Sequence, residues 1–422
     1  MFDPARGRDI HFAPGMQPAR DDAPPAPATA PRHVLFVEGS LGGVVGGSLT
    51  GILELLPYLD RRRYEPALVL AESKPGLSLP DTTIHVLDPR SDAGPVTLAT
   101  SLLRTLRRGV QVFTVVVPRA RELHALFRRE RPALVYLASG LNSNLATVVA
   151  AARTGVPVVC HFKGFRRIGP VDRFLSRWIA VAITMTDEIA AHYRARRVHA
   201  RRFVTIYDGI DPTRFASGGG AAVRREFGIP DGAPLVGIVG HIQEWKGQLL
   251  VAEAVARARR DMPELRCLVV GGVHKFGAEY AARLRARIAE PDLAGHVILT
   301  GARRDVAACM DAMDVVIHAS NREPFGRVLL EAMAVGRPVI APREGGPTEI
   351  VADGETGLLV PPRDAGALAA AIATLLRDPA RRAAMARAAR ARVAAVFDIH
   401  AHARAVERVF DEILDSPTGS RP

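Results

Sequence analysis

Residues 320–336 read SNREPFGRVLLEAMAVG, and the rest of the chain is organised around them. Asn321, Glu323 and Pro324 give a polar loop, and Gly326 to Val335 carries helical periodicity with Leu329, Leu330, Met333 and Ala334 on its apolar side. Glu331 interrupts that face, and Glu323 precedes it with seven residues between them. A lone glutamate there reads as a solvated helix residue, since charged groups are seldom buried without a partner. The pair reads differently. At about 1.5 Å of rise per residue the carboxylates lie no more than about a dozen ångströms apart along the helix direction. That length suits a grip on two ends of one extended polar ligand through its hydroxyls.

Upstream, Leu235 to Val239 reads as a strand that ends in Gly240-His241-Ile242-Gln243-Glu244-Trp245-Lys246-Gly247, followed by a helix from Gln248 to Arg259. Lys246 stands just ahead of a helix N-terminus, where a cation and a positive dipole end converge, and that combination suits a diphosphate. Strands at Arg266 to Val270, Val297 to Thr300, Val315 to His318, Val339 to Ala341 and Leu358 to Val360 alternate with helices. Ala-rich helices from Ala365 to Leu376 and Ala380 to Val396 follow, and a last helix, Ala401 to Leu414, is expected to cross back to the N-terminal half. Ala216 to Ala221, with its SGGG run, reads as poorly structured and as a source of freedom for the second half.

The first half has the same alternation. A strand at Val34 to Val37 runs into a glycine-dense loop, Gly39 to Gly47, and a helix from Ser48 to Leu59. Strand, glycine loop and helix bring backbone N–H groups up to a phosphate or a sugar. The loop fails the dinucleotide fingerprint, because none of its glycines has partners at both +2 and +5, and no Lys follows as a Walker loop requires. Val156 to Cys160 is read as a buried strand with His161 at its carboxyl end, the position where ligands gather in open α/β sheets. A structural histidine is the alternative. Two stretches, Leu98 to Arg107 and Ala120 to Arg131, are amphipathic and basic, which fits either a solvated helix face or docking on an anionic membrane.

Composition sets the class. With 48% apolar and 24% charged residues the chain is a globular protein long enough for two domains. Cys160, Cys267 and Cys309 lack C-x-x-C spacing, which argues against a disulfide framework or structural zinc and for a reducing, cytoplasmic compartment. No apolar run reaches the roughly 18 residues of a membrane span, and residues 1–31, rich in Pro, Ala, Asp and Arg, read as a disordered tail without a secretory signal. The net charge of +12 is unevenly placed: 25 Lys and Arg face 13 Asp and Glu between Arg32 and Tyr207, against 28 and 27 from Asp208 onward. An anionic partner for the first half is expected from that imbalance. At 5% aromatics the chain lacks the stacking platforms of nucleic-acid binders, so no nucleic-acid partner is expected.

Several linked motifs then resemble those of the retaining glycosyltransferases of family 4. They are E-P-F-G-x-x-x-x-E-A-M-A at Glu323 to Ala334, GRPVIA at Gly336 to Ala341 and GGPTEIV at Gly345 to Val351. The resemblance covers Arg32 to about His400 and is strongest from Ile206 to Pro362. It implies an α/β GT-B fold of two doubly wound Rossmann-like domains facing a central cleft. Residues 32–207 would take the acceptor, 208–398 the nucleotide sugar, and 399–422 would pack back on the first domain. It further implies that Gly42 and Gly43 cover donor phosphates, that His161 touches the donor sugar, and that Gly240 and Lys246 meet the diphosphate. By the same resemblance Glu323, with the backbone of Phe325 and Gly326, orients the sugar, and Glu331 binds ribose hydroxyls. Two departures stand out: His241 occupies the place of the family arginine beside the lysine, and Asp208 that of an asparagine in the interdomain turn.

The expected activity is transfer of a hexose from a UDP- or GDP-sugar to a hydroxyl of a glycan or lipid, anionic or membrane-associated. No metal or other cofactor is expected. The chain is expected in the cytoplasm, with peripheral contact at the inner face of the cell membrane. A phosphate-binding or nucleic-acid-binding protein, and an epimerase or phosphorylase on the same scaffold, are the alternatives.

Overall fold

The computed structural model describes residues 30–39, 47–74, 76–87, 115–215 and 218–416. Gly42, Gly43 and the basic stretch Leu98 to Arg107 lie outside the described residues, as do 1–29 of the N-terminal tail. Two compact units are formed, one by 30–208 with 399–416 and the other by Gly209–Asp398.

In the first unit, seven strands form one parallel sheet: β1 (Arg32–Glu38), β2 (Tyr64–Leu70), β3 (Thr83–Val86), β4 (Leu134–Leu137), β5 (Val158–Phe162), β6 (Ile179–Thr184) and β7 (Arg202–Thr205). Their order is β3-β2-β1-β4-β5-β6-β7. Short runs of Val, Leu, Ile and Phe, apolar at nearly every position, suit strands covered on both faces, which is how a parallel sheet is built. Val34 to Val37 and Leu134 to Leu137 are accordingly buried throughout. One face packs on the Gly47–Leu55 helix and on the C-terminal Ile399–Leu414 helix, whose Ala403, Val406, Val409 and Phe410 join Val34, Phe36, Leu68 and Tyr136 in a single core.

Polar contacts tie the C-terminal helix to the start of β2. Glu407 accepts the Asp60 amide at 2.7 Å, and Asp411 accepts from Arg63 at 2.5 Å and from the Tyr64 hydroxyl.

The second unit carries six parallel strands, β8 (Leu235–Val239), β9 (Arg266–Val270), β10 (Val297–Gly301), β11 (Val315–Ile317), β12 (Val339–Pro342) and β13 (Gly357–Val360), ordered β10-β9-β8-β11-β12-β13. In both sheets the winding direction reverses once, between β1 and β4 and between β8 and β11. Loops diverge at such a reversal and leave a crevice at the carboxyl ends of the strands.

Two expectations need correction. The freedom expected of Ala216 to Ala221 fails in its last part: Gly220–Glu226 is a helix fastened to the Val306–Ala312 helix. The Gly220 amide donates to Asp311 at 3.1 Å, and a Cβ at Gly220 would lie 2.6 Å from the Asp311 carbonyl carbon. Close packing accounts for that glycine. The division between units falls after Asp208 and not before it, because the Asp208 carboxylate is ion-paired with Lys163 of the first unit at 3.2 Å.

Phe410 is fully buried, with its ring centroid 5.5 Å from that of Tyr64 and 6.0 Å from that of Tyr136. Phe410→Ala is expected to lower the unfolding free energy by about 3–5 kcal/mol, read by urea denaturation followed at Trp178. A loss below about 1 kcal/mol would remove the C-terminal helix from the list of core elements.

Candidate functional site

The crevice of the second unit is lined by the loops leaving β8 and β11. The first runs from Gly240 through the turn Glu244–Lys246 to Gly247, where the Gln248–Ala258 helix begins. Beyond β11, the other loop carries His318 to Gly326 into the Arg327–Val335 helix. The two are held at van der Waals distance. Gly247 has φ +78°, and a Cβ there would lie 2.3 Å from the Ala319 oxygen. The Asn321 amide donates to the Trp245 carbonyl at 2.7 Å.

That approach brings the side chains together. Lys246 Nζ donates to Glu323 Oε2 at 2.8 Å, and His318 Nε2 stands 3.4 Å from the same oxygen. Lys246 Nζ also lies 3.9 Å from the centroid of the exposed Trp245 ring, a cation–π contact.

Glu323 is 9% exposed and His318 4%. Burial by itself raises a carboxyl pKa. Here the His318 imidazole and the Lys246 ammonium outweigh it and hold Glu323 down at about 2. Glu323 is therefore a fixed anion at neutral pH, not a proton donor.

The GGP turn has a structural task. The Gly346 amide donates to the Glu323 carbonyl at 2.9 Å. A Cβ at Gly345 would lie 2.5 Å from that same oxygen, and one at Gly346 would lie 2.3 Å from the Phe325 Cα. Phe325 is buried against Phe397, ring centroids 6.2 Å apart, so its side chain anchors the loop. Glu331 is half-buried on the following helix, whose buried face is Leu329, Leu330, Ala332, Met333 and Val335. Ala332 and Val335 thus take the place expected of Ala334.

His241 is exposed at the mouth of the β8 loop, its carbonyl accepting the buried Gln248 amide at 3.0 Å. Gly240, at φ +146°, precedes it.

In the first unit, His161 lies within β5 and has no exposure. Tyr136 OH is 2.5 Å from its Nδ1, and its Nε2 has no hydrogen-bond partner among the described residues. Burial, with Lys163 adding to it, pushes the imidazole pKa well below the usual histidine range, so His161 is neutral. The same burial raises the Tyr136 hydroxyl. Nearby, Lys163 is paired with Asp208, and His402 Nδ1 is 2.7 Å from the Tyr207 carbonyl.

Lys246 and Glu323 are therefore in direct contact, with Gly240, Phe325 and Gly326 on the two loops that carry them. Glu331 sits one helix turn further on. His318 was read only as the end of a strand; a histidine two residues ahead of the polar Ser320–Asn321 loop, in the position that follows a crevice strand, was the available signal. An apolar hollow of about 360 Å³ in the first unit, lined by Val116, Leu145, Val149, Val171, Phe174 and Leu175, has no titratable lining side chain and offers no chemistry.

Residues 221–392 match the family described as glycosyl transferases group 1, and residues 45–214 match glycosyltransferase family 4. The D-inositol 3-phosphate glycosyltransferase of Stackebrandtia nassauensis is 41% identical over 228 residues, 53% of this chain and 52% of the relative. The chain spans about half the length of the D-inositol 3-phosphate glycosyltransferases it matches. The 2-deoxystreptamine glucosyltransferase of Streptomyces kanamyceticus is 32% identical over 299 residues, 65% of this chain and 76% of that one. Among solved structures, a glycosyltransferase from Rickettsia africae superposes with a TM-score of 0.78 at 19% identity, covering 92% of this chain and 100% of its own. HepE of Anabaena, solved with UDP and glucose, gives 0.72 at 23% identity, covering 91% and 99%. These neighbours share the fold, GT-B, with its two Rossmann-like sheets. The chain belongs to the group 1 glycosyltransferases of family 4.

Proposed function

We propose that the chain transfers a hexose from a nucleoside-diphosphate sugar to a hydroxyl acceptor with retention at the anomeric carbon. The observation that carries this is the contact of Lys246 with Glu323 at the strand-order reversal of the second sheet. A cation ahead of a helix N-terminus takes the diphosphate, and the anion beside it takes sugar hydroxyls. Gly240 lets the backbone approach, the Phe325 and Gly326 backbone completes the sugar seat, and Glu331 takes the ribose. By the family resemblance Gly42 and Gly43 cover the phosphates. The same resemblance puts His161 on the sugar, but the imidazole has no exposure within β5. HepE, solved with UDP, supports a uridine nucleotide.

With its carboxyl held down at about 2, Glu323 is too weak a base to take the acceptor proton, and the reaction needs another. The bond from the anomeric carbon to the diphosphate oxygen breaks and one to the acceptor oxygen forms on the same face. The acceptor proton passes to the departing phosphate oxygen. Lys246 stabilises the charge that develops there, and both loops are positioned before reaction, so little reorganisation is needed.

Relatives carry names with different acceptors, an inositol phosphate and 2-deoxystreptamine. The excess of Lys and Arg in the first half favours an anionic or membrane-associated glycan or lipid, met from the cytoplasmic side. Among the described residues no helix is long and apolar enough to cross a membrane.

Lys246→Ala is expected to lower kcat/KM by about 10²–10³-fold, measured as nucleoside diphosphate release with UDP-, GDP- and ADP-sugars. Unchanged turnover would sink the assignment. A second expectation concerns acid stability. The Glu323 pKa is lowered on folding to about 2, so its stabilisation is complete above the unfolded carboxyl range and is lost as pH falls through the folded value. It amounts to up to about 3 kcal/mol. The urea midpoints of the wild type and Glu323→Gln should therefore differ most at pH 6 and converge toward pH 2; a constant gap would show that the charge is not what stabilises.

A further inference from the structure

His241 stands where the family motif has an arginine, and one imidazole cannot present the forked donors of a guanidinium. A second imidazole lies beside it. The His274 ring, on the loop that leaves β9, has its centroid 6.0 Å from that of His241 at an interplanar angle of 73°. Backbone contacts set this pairing. Ile242 N donates to the Gly272 carbonyl at 2.9 Å and His274 N to the Ile242 carbonyl at 3.2 Å. A Cβ at Gly271 would lie 2.2 Å from the Gly240 oxygen.

The His274 tautomer follows from its own loop. The Phe276 amide donates to His274 Nδ1 at 3.3 Å, so the proton of the neutral ring resides on Nε2 and Nε2–H remains as a donor. The charged surroundings are cationic. Lys246 shares the His241 loop, and Lys275 follows His274, its Nζ 5.0 Å from the exposed Phe276 ring centroid. Gln248, on the helix packed behind, is neutral, and Glu244 is engaged by Arg283 at 2.9 Å.

We propose that His241 and His274 together replace the family arginine, two imidazole donors from adjacent loops holding the diphosphate of a nucleoside diphosphate beside Lys246. This rests on the donor reading given above and adds His274 as a binding residue outside the family motif.

The test is calorimetry on the full chain with UDP, GDP and ADP, and with uridine, guanosine and adenosine as phosphate-free controls. His274→Ala is expected to weaken binding of the preferred diphosphate about tenfold, the scale of one hydrogen bond to a charged group, while nucleoside binding is unchanged. His274→Gln, which keeps an N–H donor, should restore most of the loss, and melting temperatures check that each variant is folded. His241→Arg, which presents the forked donors of a guanidinium, should bind the diphosphate at least as tightly as the wild type. In that background His274→Ala should change affinity by less than about twofold, because the two sites are coupled. Wild-type affinity in His274→Ala, or an equal loss in both backgrounds, would overturn the proposal. Lys246→Ala tells the two readings apart: if it weakens diphosphate binding and His274→Ala does not, only the imidazole pair falls. If no nucleoside diphosphate binds the wild type, the donor reading falls and the pair with it.

Discussion

The close approach of the β8 and β11 loops governs the second unit. Gly247 faces the Ala319 carbonyl with no room for a side chain, and from that contact Lys246 and Glu323 have little choice but to meet. The pair is mostly buried, so each charge has lost much of its water. Desolvation of that kind is tolerable only with a partner of opposite sign in good geometry. Lys246 has Glu323 on one side and the Trp245 ring on the other, and Glu323 has His318 as well. Each charge of the pair is thus met by partners within the unit itself.

The same contact ties three separated stretches of this sequence to one another. The Lys-Gly pair needs the Ala319 backbone, the Glu323 loop needs the Gly345–Gly346 turn beneath it, and that turn leaves no space for a β-carbon. A substitution in any one would displace the others. Phe325 belongs to both supports: its side chain lies in the core against Phe397, and its backbone lies against the Gly346 turn.

Much of this was legible beforehand. The strands among the described residues follow short apolar runs, and Leu235–Val239 and Arg266–Val270 coincide with the residues expected. A run apolar at every position has one good solution, a strand buried on both faces. The helix at Gly220 was not legible, because SGGG reads as freedom whereas here Gly220 is selected by the Asp311 backbone pressing on it, a long-range contact that leaves no local trace. His161 was placed at a strand end and lies inside the strand, fully buried, because β5 runs on to Phe162, past a register shift between Val158 and Val159. His318 was missed for a similar reason: its importance comes from Glu323 folding back toward it, not from any spacing.

The C-terminal helix has a consequence for how the chain is made. Val406 and Phe410 complete the core of a unit whose strands are all synthesised before residue 209. On the ribosome the second unit, continuous from Gly209 to Asp398, is complete before that helix emerges. Until the last helix emerges, the first sheet must wait with part of one apolar face uncovered, so the N-terminal half of this protein is the last to finish, contrary to the usual order of vectorial folding. For that interval the exposed face of Phe36, Leu68 and Tyr136 is a natural substrate for chaperones.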